Sequence, residues 1–238
     1  MVEILKLKNL SKSFGAVTVT DQLNCSLKNG EALGIIGPNG AGKTSMFNLI
    51  TGTLKPDSGQ IFFAGEDITH SNAAKRSRSG IARSFQVPQP FSGLSVFENA
   101  MVAATQSAGL YGKKAEQYCL SILNQTELLP KANILAGSLT LLELKRLELT
   151  RALCTRPKLL LLDEIAGGLT DDECTSLVNT IKNIHKSGVS IIWIEHVVQA
   201  VLAVVDRLMV INFGKKIAEG NPESIIKSRE VQEIYLGI

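Results

Sequence analysis

Gly37-Pro38-Asn39-Gly40-Ala41-Gly42-Lys43-Thr44 fits the spacing G-x-x-x-x-G-K-[ST], a pattern suited to cradling the phosphates of a nucleotide. Glycine at these positions lets backbone N–H groups converge on phosphate oxygens with no Cβ in the way. Lys43 brings a positive charge to the β- and γ-phosphates, and Thr44 offers a hydroxyl to Mg²⁺. Ser45 carries the loop into the next element. The plain alternative is a chance glycine turn. The flanks disfavour it, because an apolar strand precedes the loop and a helix follows, and a helix N-terminus favours an anion.

Two more stretches end in groups able to act on what the loop holds. Leu159-Leu160-Leu161-Leu162-Asp163-Glu164 reads as a buried strand closing on two acids. In an open α/β sheet, a carboxylate at the carboxyl end of a strand sits in the ligand crevice. Asp163 suits Mg²⁺ held through water, and Glu164 suits orienting or deprotonating an attacking water. Residues 189–194 repeat the logic, an apolar run followed by Glu195-His196, with His196 a candidate donor to the γ-phosphate. The bland readings are a solvated acidic turn and a surface histidine.

These groups need a scaffold. Ile4, Leu5 and Leu7, then Val17, Val19, Leu23 and Leu27, suggest an early antiparallel region. Residues 31–36 form a short strand into the glycine loop, residues 44–51 a helix, and residues 60–64 a strand after the turn at Pro56-Asp57-Ser58-Gly59. Helical spacing takes over across residues 88–153, with Val96, Ala100, Val102 and Ala103 on one helix and Ala115, Cys119, Ile122 and Leu123 on another. Residues 158–162 return to strand, residues 171–186 read as a helix, and residues 189–194 and 207–211 as strands. Continuous apolar strands alternating with helices predict a parallel sheet buried on both faces. The expected fold is an α/β P-loop core with an N-terminal antiparallel β region, one domain over residues 1–238, with residues 88–153 an inserted helical lobe.

Composition sets the exclusions. Hydrophobic residues make up 45% and charged residues 20% of 238 residues, so a core able to fold alone is expected. The net charge of +3 is too small to argue for a nucleic-acid partner, and none is expected. The densest basic cluster, Lys75, Arg76 and Arg78, reads as a solvated helix face. Cys25, Cys119, Cys154 and Cys174 are scattered, with no metal-knuckle spacing, and read as buried apolar residues in a reducing compartment. Met1 to Leu10 lacks the apolar core of a signal peptide. The longest apolar runs, residues 159–162 and 197–205, fall short of the ~20 residues that span a bilayer. Any membrane role must come through a partner.

The order of these parts resembles that of ATP-binding-cassette (ABC) ATPases over nearly the whole chain. The resemblance implies ATP and Mg²⁺ as cofactors and ATP hydrolysis coupled to transport. Phe14, in Ser-Phe-Gly, looks like the aromatic that stacks on adenine, with a strand core residue as the other reading. Gln86, in Arg83-Ser84-Phe85-Gln86, resembles the glutamine that senses Mg²⁺ and the transporter's membrane part. Asp163, Glu164 and His196 match the Mg²⁺ acid, the catalytic glutamate and the switch histidine. Within the family, the likeness is to ATPases of branched-chain amino-acid uptake, carried by Ile81-Ala82-Arg83-Ser84-Phe85-Gln86, Phe97-Glu98-Asn99, Ile194-Glu195-His196 and the chain end Val231-Gln232-Glu233-Ile234-Tyr235-Leu236-Gly237. ATPases for urea or amide uptake and for lipopolysaccharide export share parts of it, and a non-transport ABC ATPase is the remaining alternative.

Two motifs depart from the family pattern. Leu139-Thr140-Leu141-Leu142-Glu143 stands where Leu-Ser-Gly-Gly-Gln is usual. Thr140 and Glu143 keep capping-box spacing, so the helix start should survive. Both glycines are missing, and Glu143 adds a negative charge where a partner subunit's γ-phosphate would approach. After Glu164, Ile165 replaces the usual Pro, and Ala166-Gly167-Gly168-Leu169-Thr170 ends in Thr rather than Asp or Asn. The resemblance therefore implies transmembrane permease subunits, a second ABC ATPase subunit with a heterodimer favoured over a homodimer, and a peripheral place on the cytoplasmic face of the inner membrane.

Overall fold

The computed structural model describes residues 2–236, so Met1 of the N-terminal stretch, and Gly237 and Ile238 at the chain end, lie outside the described residues. Long apolar-alternating strands β1 (Glu3–Phe14) and β2 (Val17–Lys28) pair antiparallel, and after the Asn29-Gly30 turn β3 (Ala32–Ile36) runs into the glycine loop. Then come α1 (Lys43–Thr51), β4 (Ser58–Phe63), β5 (Glu66–Asp67), α2 (Ala73–Ser79) and β6 (Ile81–Ser84). Helices α3 (Val96–Gln106), α4 (Gly112–Gln125) and α5 (Leu141–Cys154) follow, then β7 (Leu159–Asp163), α6 (Asp171–Lys186) and β8 (Ser190–Ile194). The chain closes with α7 (Val198–Leu202), β9 (Arg207–Asn212), β10 (Lys215–Gly220), α8 (Pro222–Ile226) and α9 (Arg229–Leu236).

The strands form a four-stranded antiparallel sheet, β2-β1-β4-β5, and a six-stranded sheet, β10-β9-β3-β8-β7-β6, parallel except for its β10 edge. Successive side chains of a strand face opposite sides, and here each side is a separate core. Ala32 and Ile36 of β3, Leu160 and Leu162 of β7, and Ile191 and Trp193 of β8 join one. Leu33, Ile35, Leu159, Leu161, Ile192 and Ile194 join the other, shared with α1 and the antiparallel sheet. Both faces are dry, so the strands read as unbroken apolar runs in the sequence. The stretch between β6 and β7, which carries α3, α4 and α5, adds a smaller cluster of Val96, Leu123, Leu128, Ala136, Leu139 and Leu147. Capping boxes at Ser95/Glu98 and Thr140/Glu143 fix the starts of α3 and α5.

The basic cluster corrects one expectation. Lys75 and Arg78 are exposed, but Arg76 is 1% exposed. Its guanidinium donates to the carbonyls of Leu49 (2.6 Å), Ile50 (2.9 Å), Thr69 (2.9 Å) and Ser71 (2.9 Å). The first two are orphan carbonyls at the end of α1, which a cation satisfies in both hydrogen bonding and dipole. Gly52 makes room: a Cβ there would meet Arg76 Nε at 2.8 Å. Arg76→Ala leaves those buried carbonyls without donors. It is expected to destabilise the chain by about 3 kcal/mol, read as a lowered urea midpoint with an unchanged slope. A shift under about 0.5 kcal/mol, the size of an ordinary surface substitution, would return Arg76 to the surface.

Candidate active site

The glycine loop leaves the carboxyl end of β3 and enters α1, whose N-cap Gly42 (φ 100°) offers no side-chain cap. Close packing from behind explains two glycines. A Cβ on Gly37 would lie 2.1 Å from Ile211 O, and one on Gly42 2.1 Å from Val19 O. The β9–β10 turn braces the loop, with Gly214 donating to Ala41 O at 2.9 Å. Lys43 Nζ donates to Gly37 O (2.7 Å) and Pro38 O (3.0 Å), spanning its own loop. Burial holds the Lys43 ammonium below its ordinary range, while the charges of Glu164 and Asp163 act against that shift. Thr44 is exposed at the first turn of α1 and Ser45 half-buried, with Asn39 and Gly40 exposed on the loop.

The structure brings together three of the residues singled out. Glu164 follows β7 with φ 46°, a left-handed backbone held by its N–H bond to Ile194 O at 2.8 Å. Such a conformation costs a non-glycine residue ~1–3 kcal/mol and is kept where the surroundings enforce it. Here it turns the carboxylate off the strand, where His196 Nε2 meets Oε1 at 2.7 Å and Gln86 Nε2 donates to Oε2 at 2.6 Å. Gln86 ends the strand-edge segment after β6, and His196 follows β8, so neighbouring parallel strands deliver all three. Asp163, 3% exposed, ends β7 and pairs with Arg83, which also donates to Asn48 Oδ1 of α1 at 2.6 Å.

Sequence reasoning missed the supports. Arg83 was legible only as part of a longer string. Lys145 of α5 is 3% exposed and donates to Gln86 O at 2.5 Å. Burial lowers its ammonium, with Glu195 the first of the acids opposing that. Glu195, 1% exposed, accepts the N–H groups of Ala166 (2.7 Å), His196 (2.9 Å) and Val197 (3.5 Å). Burial pushes its carboxyl above the ordinary range, although these N–H groups pull it down. The signal available was an acid directly before His196, too common to carry weight by itself.

The remaining candidates lie apart from this cluster. Phe14 is 54% exposed at the β1 end, which removes the strand-core reading. Thr140 and Glu143 bond to each other, and Lys131 Nζ reaches Glu143 Oε1 at 2.6 Å. The Lys131 bond holds the Glu143 carboxyl below its ordinary range, so the extra negative charge is neutralised locally. α5 begins at Leu141 directly after its Thr140 cap; Leu141 is 42% exposed and Leu142 packs on the main core. Thr170 caps α6 through Glu173.

A family model described as ABC transporter matches residues 20–167. The high-affinity branched-chain amino acid transport ATP-binding protein BraF of Pseudomonas aeruginosa is 34% identical, covering 98% of each chain. The corresponding protein LivG of Escherichia coli is 33% identical, again covering 98% of each. Among solved structures, the ADP conformation of an ATP-binding cassette of an ABC transporter superposes with a TM-score of 0.91 at 31% identity over 100% of both chains. A nucleotide-free cassette superposes with a TM-score of 0.90 at 31% identity. A glycine loop with its lysine, an acid pair at the end of β7 and a near-full-length match on both sequence and structure belong together: the chain is a member of the ABC transporter family and one of its ATP-binding, ATP-hydrolysing subunits.

Proposed function

We propose that this chain powers membrane transport of branched-chain or related amino acids, working with transmembrane permease subunits on the cytoplasmic face of the inner membrane. The single observation that carries the ATPase chemistry is the convergence of Gln86, Glu164 and His196 beside the glycine loop. ATP would lie on Gly37 to Ser45, with its base against Phe14. Mg²⁺ fits a site of this type, because that ion takes one or two carboxylates and keeps phosphate and water for the rest. Thr44, Asp163 and Gln86 are the residues that would hold it, and its charge would offset that developing on the γ-phosphate. Glu164 then orients or deprotonates water, with His196 and Gln86 fixing both carboxylate oxygens. The cargo class rests on similarity to BraF and LivG. Residues 88–153 serve as a helical lobe within one cassette over residues 1–238.

Among the described residues, no helix is long and apolar enough to cross a membrane. The permease is reached instead through a groove of about 360 Å³ between the sheet and the helices, lined by Phe85, Phe91, Val102, Ala103, Glu148 and Arg151 among others. Phe85 and Phe91 are 49% and 47% exposed, each with one ring face under a guanidinium, of Arg83 and Arg151, and apolar surface left open to the groove. Cysteines placed at Gln89 or Ser92 are expected to cross-link to the permease; cross-links confined to the opposite face would reject this docking. The second subunit is a related cassette rather than a copy, because Leu141 stands exposed where a glycine would let the partner's γ-phosphate approach. Subunit composition of the native complex tests that, and two copies of this chain with normal turnover would refute it.

A further inference from the structure

Lys145 lies one turn into α5, yet its side chain is buried rather than solvated. Nζ donates to Gln86 O at 2.5 Å and reaches Glu164 O at 3.5 Å. These are the backbones of the two residues whose side chains meet at 2.6 Å. β6 and β7, which bring Gln86 and Glu164 side by side, end two residues and one residue earlier, respectively. Among the described residues, the β6–β7 register stops at Ser84 and Leu162, and Lys145 reaches both backbones beyond it. A buried ammonium persists in a fold where carbonyls and acids hold it, and Glu195, Glu164, Glu148 and Asp163 supply the charge.

We propose that Lys145 is a positioning residue for hydrolysis, fixing the backbones of Gln86 and Glu164 from α5 so that their side chains meet in working geometry. The same helix, capped by Thr140, begins with Leu141, Leu142 and Glu143, the segment that would approach the partner subunit's nucleotide. Lys145 thus makes the pose of that helix a determinant of geometry at this chain's own Glu164. A shift of α5 that draws Nζ from Gln86 O loosens the bond between Gln86 and Glu164 without touching the phosphate loop. This inference rests on the reading of Glu164 and Gln86 as the hydrolytic pair.

The test uses the full chain with ATP. Lys145→Met removes the ammonium and keeps most of the stem, and Lys145→Arg restores charge and donors. Misplacement of a reacting group by ~1 Å costs on the order of 10²-fold in rate, so Lys145→Met is expected to lower kcat ~10–100-fold. ATP affinity and KM are expected to stay within about threefold, since a transition-state interaction alone is lost. Lys145→Arg is expected to recover most of kcat. If the Met variant does not fold, Lys145→Gln, which keeps a neutral donor, is read on the same scale. A lowered unfolding midpoint with kcat unchanged in the folded protein would make Lys145 a structural filler and overturn the proposal, as would equal losses in ATP affinity and kcat. Glu164→Gln run in parallel separates the two readings. Full activity in that variant sinks the hydrolytic pair itself, whereas an inactive Glu164→Gln beside a fully active Lys145→Met sinks only the link.

Discussion

Glu164→Gln is expected to cut steady-state phosphate release by ~10²–10⁴-fold, the usual cost of losing a general base, while the protein still binds ATP. The substitution is nearly isosteric, so the side chain keeps its place between Gln86 and His196. What disappears is the capacity to accept a proton from water. Nucleotide binding should survive or tighten. The Glu164 charge acts on Lys43, and a carboxylate facing the incoming phosphates works against them. Phosphate release and nucleotide binding measured on one preparation decide the matter. Undiminished turnover would mean that some other group takes the proton, with Asp163, the adjacent acid in the chain, freed from its pairing with Arg83.

Lys43→Ala is expected to weaken ATP binding ~10–100-fold, the equivalent of one charge-assisted hydrogen bond at ~1.5–3 kcal/mol. Within its own loop the ammonium has a second use. It bridges Gly37 O and Pro38 O, and so tethers the loop in the shape that a phosphate would meet. Its loss therefore removes both a charge and a brace. Lys43→Arg is not expected to rescue, because a planar fork is larger than the space beneath a loop packed against Ile211 and Val19. Direct titration with nucleotide is the measurement, and an affinity within about twofold of the parent would contradict the role.

Much of this site was legible because its parts are local. The glycine loop is contiguous, and each acid or histidine directly follows an apolar run that a doubly buried parallel strand requires. Helix α6 was legible as a span of roughly residues 171–186, and the structure places it at Asp171–Lys186 behind its Thr170 cap. Short β6 and β10 were not legible. β6 is four residues long and ends in Arg83-Ser84, and β10 is an edge strand with lysines exposed, so neither carries an apolar run. The electrostatic partnerships were invisible for a different reason. Arg76 with the end of α1, Lys131 with Glu143 and Lys145 with Gln86 are matched through space, and charge type alone does not distinguish a solvated cation from a buried one. The doubt about Glu143 came from that blindness, since a lysine twelve residues away in sequence covers it.

The two cores divided by the parallel sheet bear on how this chain can drift over generations. Each leucine of β7 is assigned to a core by whether its number is odd or even, and the strand ends by handing Asp163 to one side and the turned Glu164 to the crevice. Exchange of one leucine for isoleucine or valine alters shape within a compartment. Loss or gain of a single residue reverses every compartment at once and trades the two acids' places. Selection can therefore be lenient about what is written between residues 159 and 162 and unforgiving about how many letters are used, so that insertions and deletions accumulate in the loops and spare this strand.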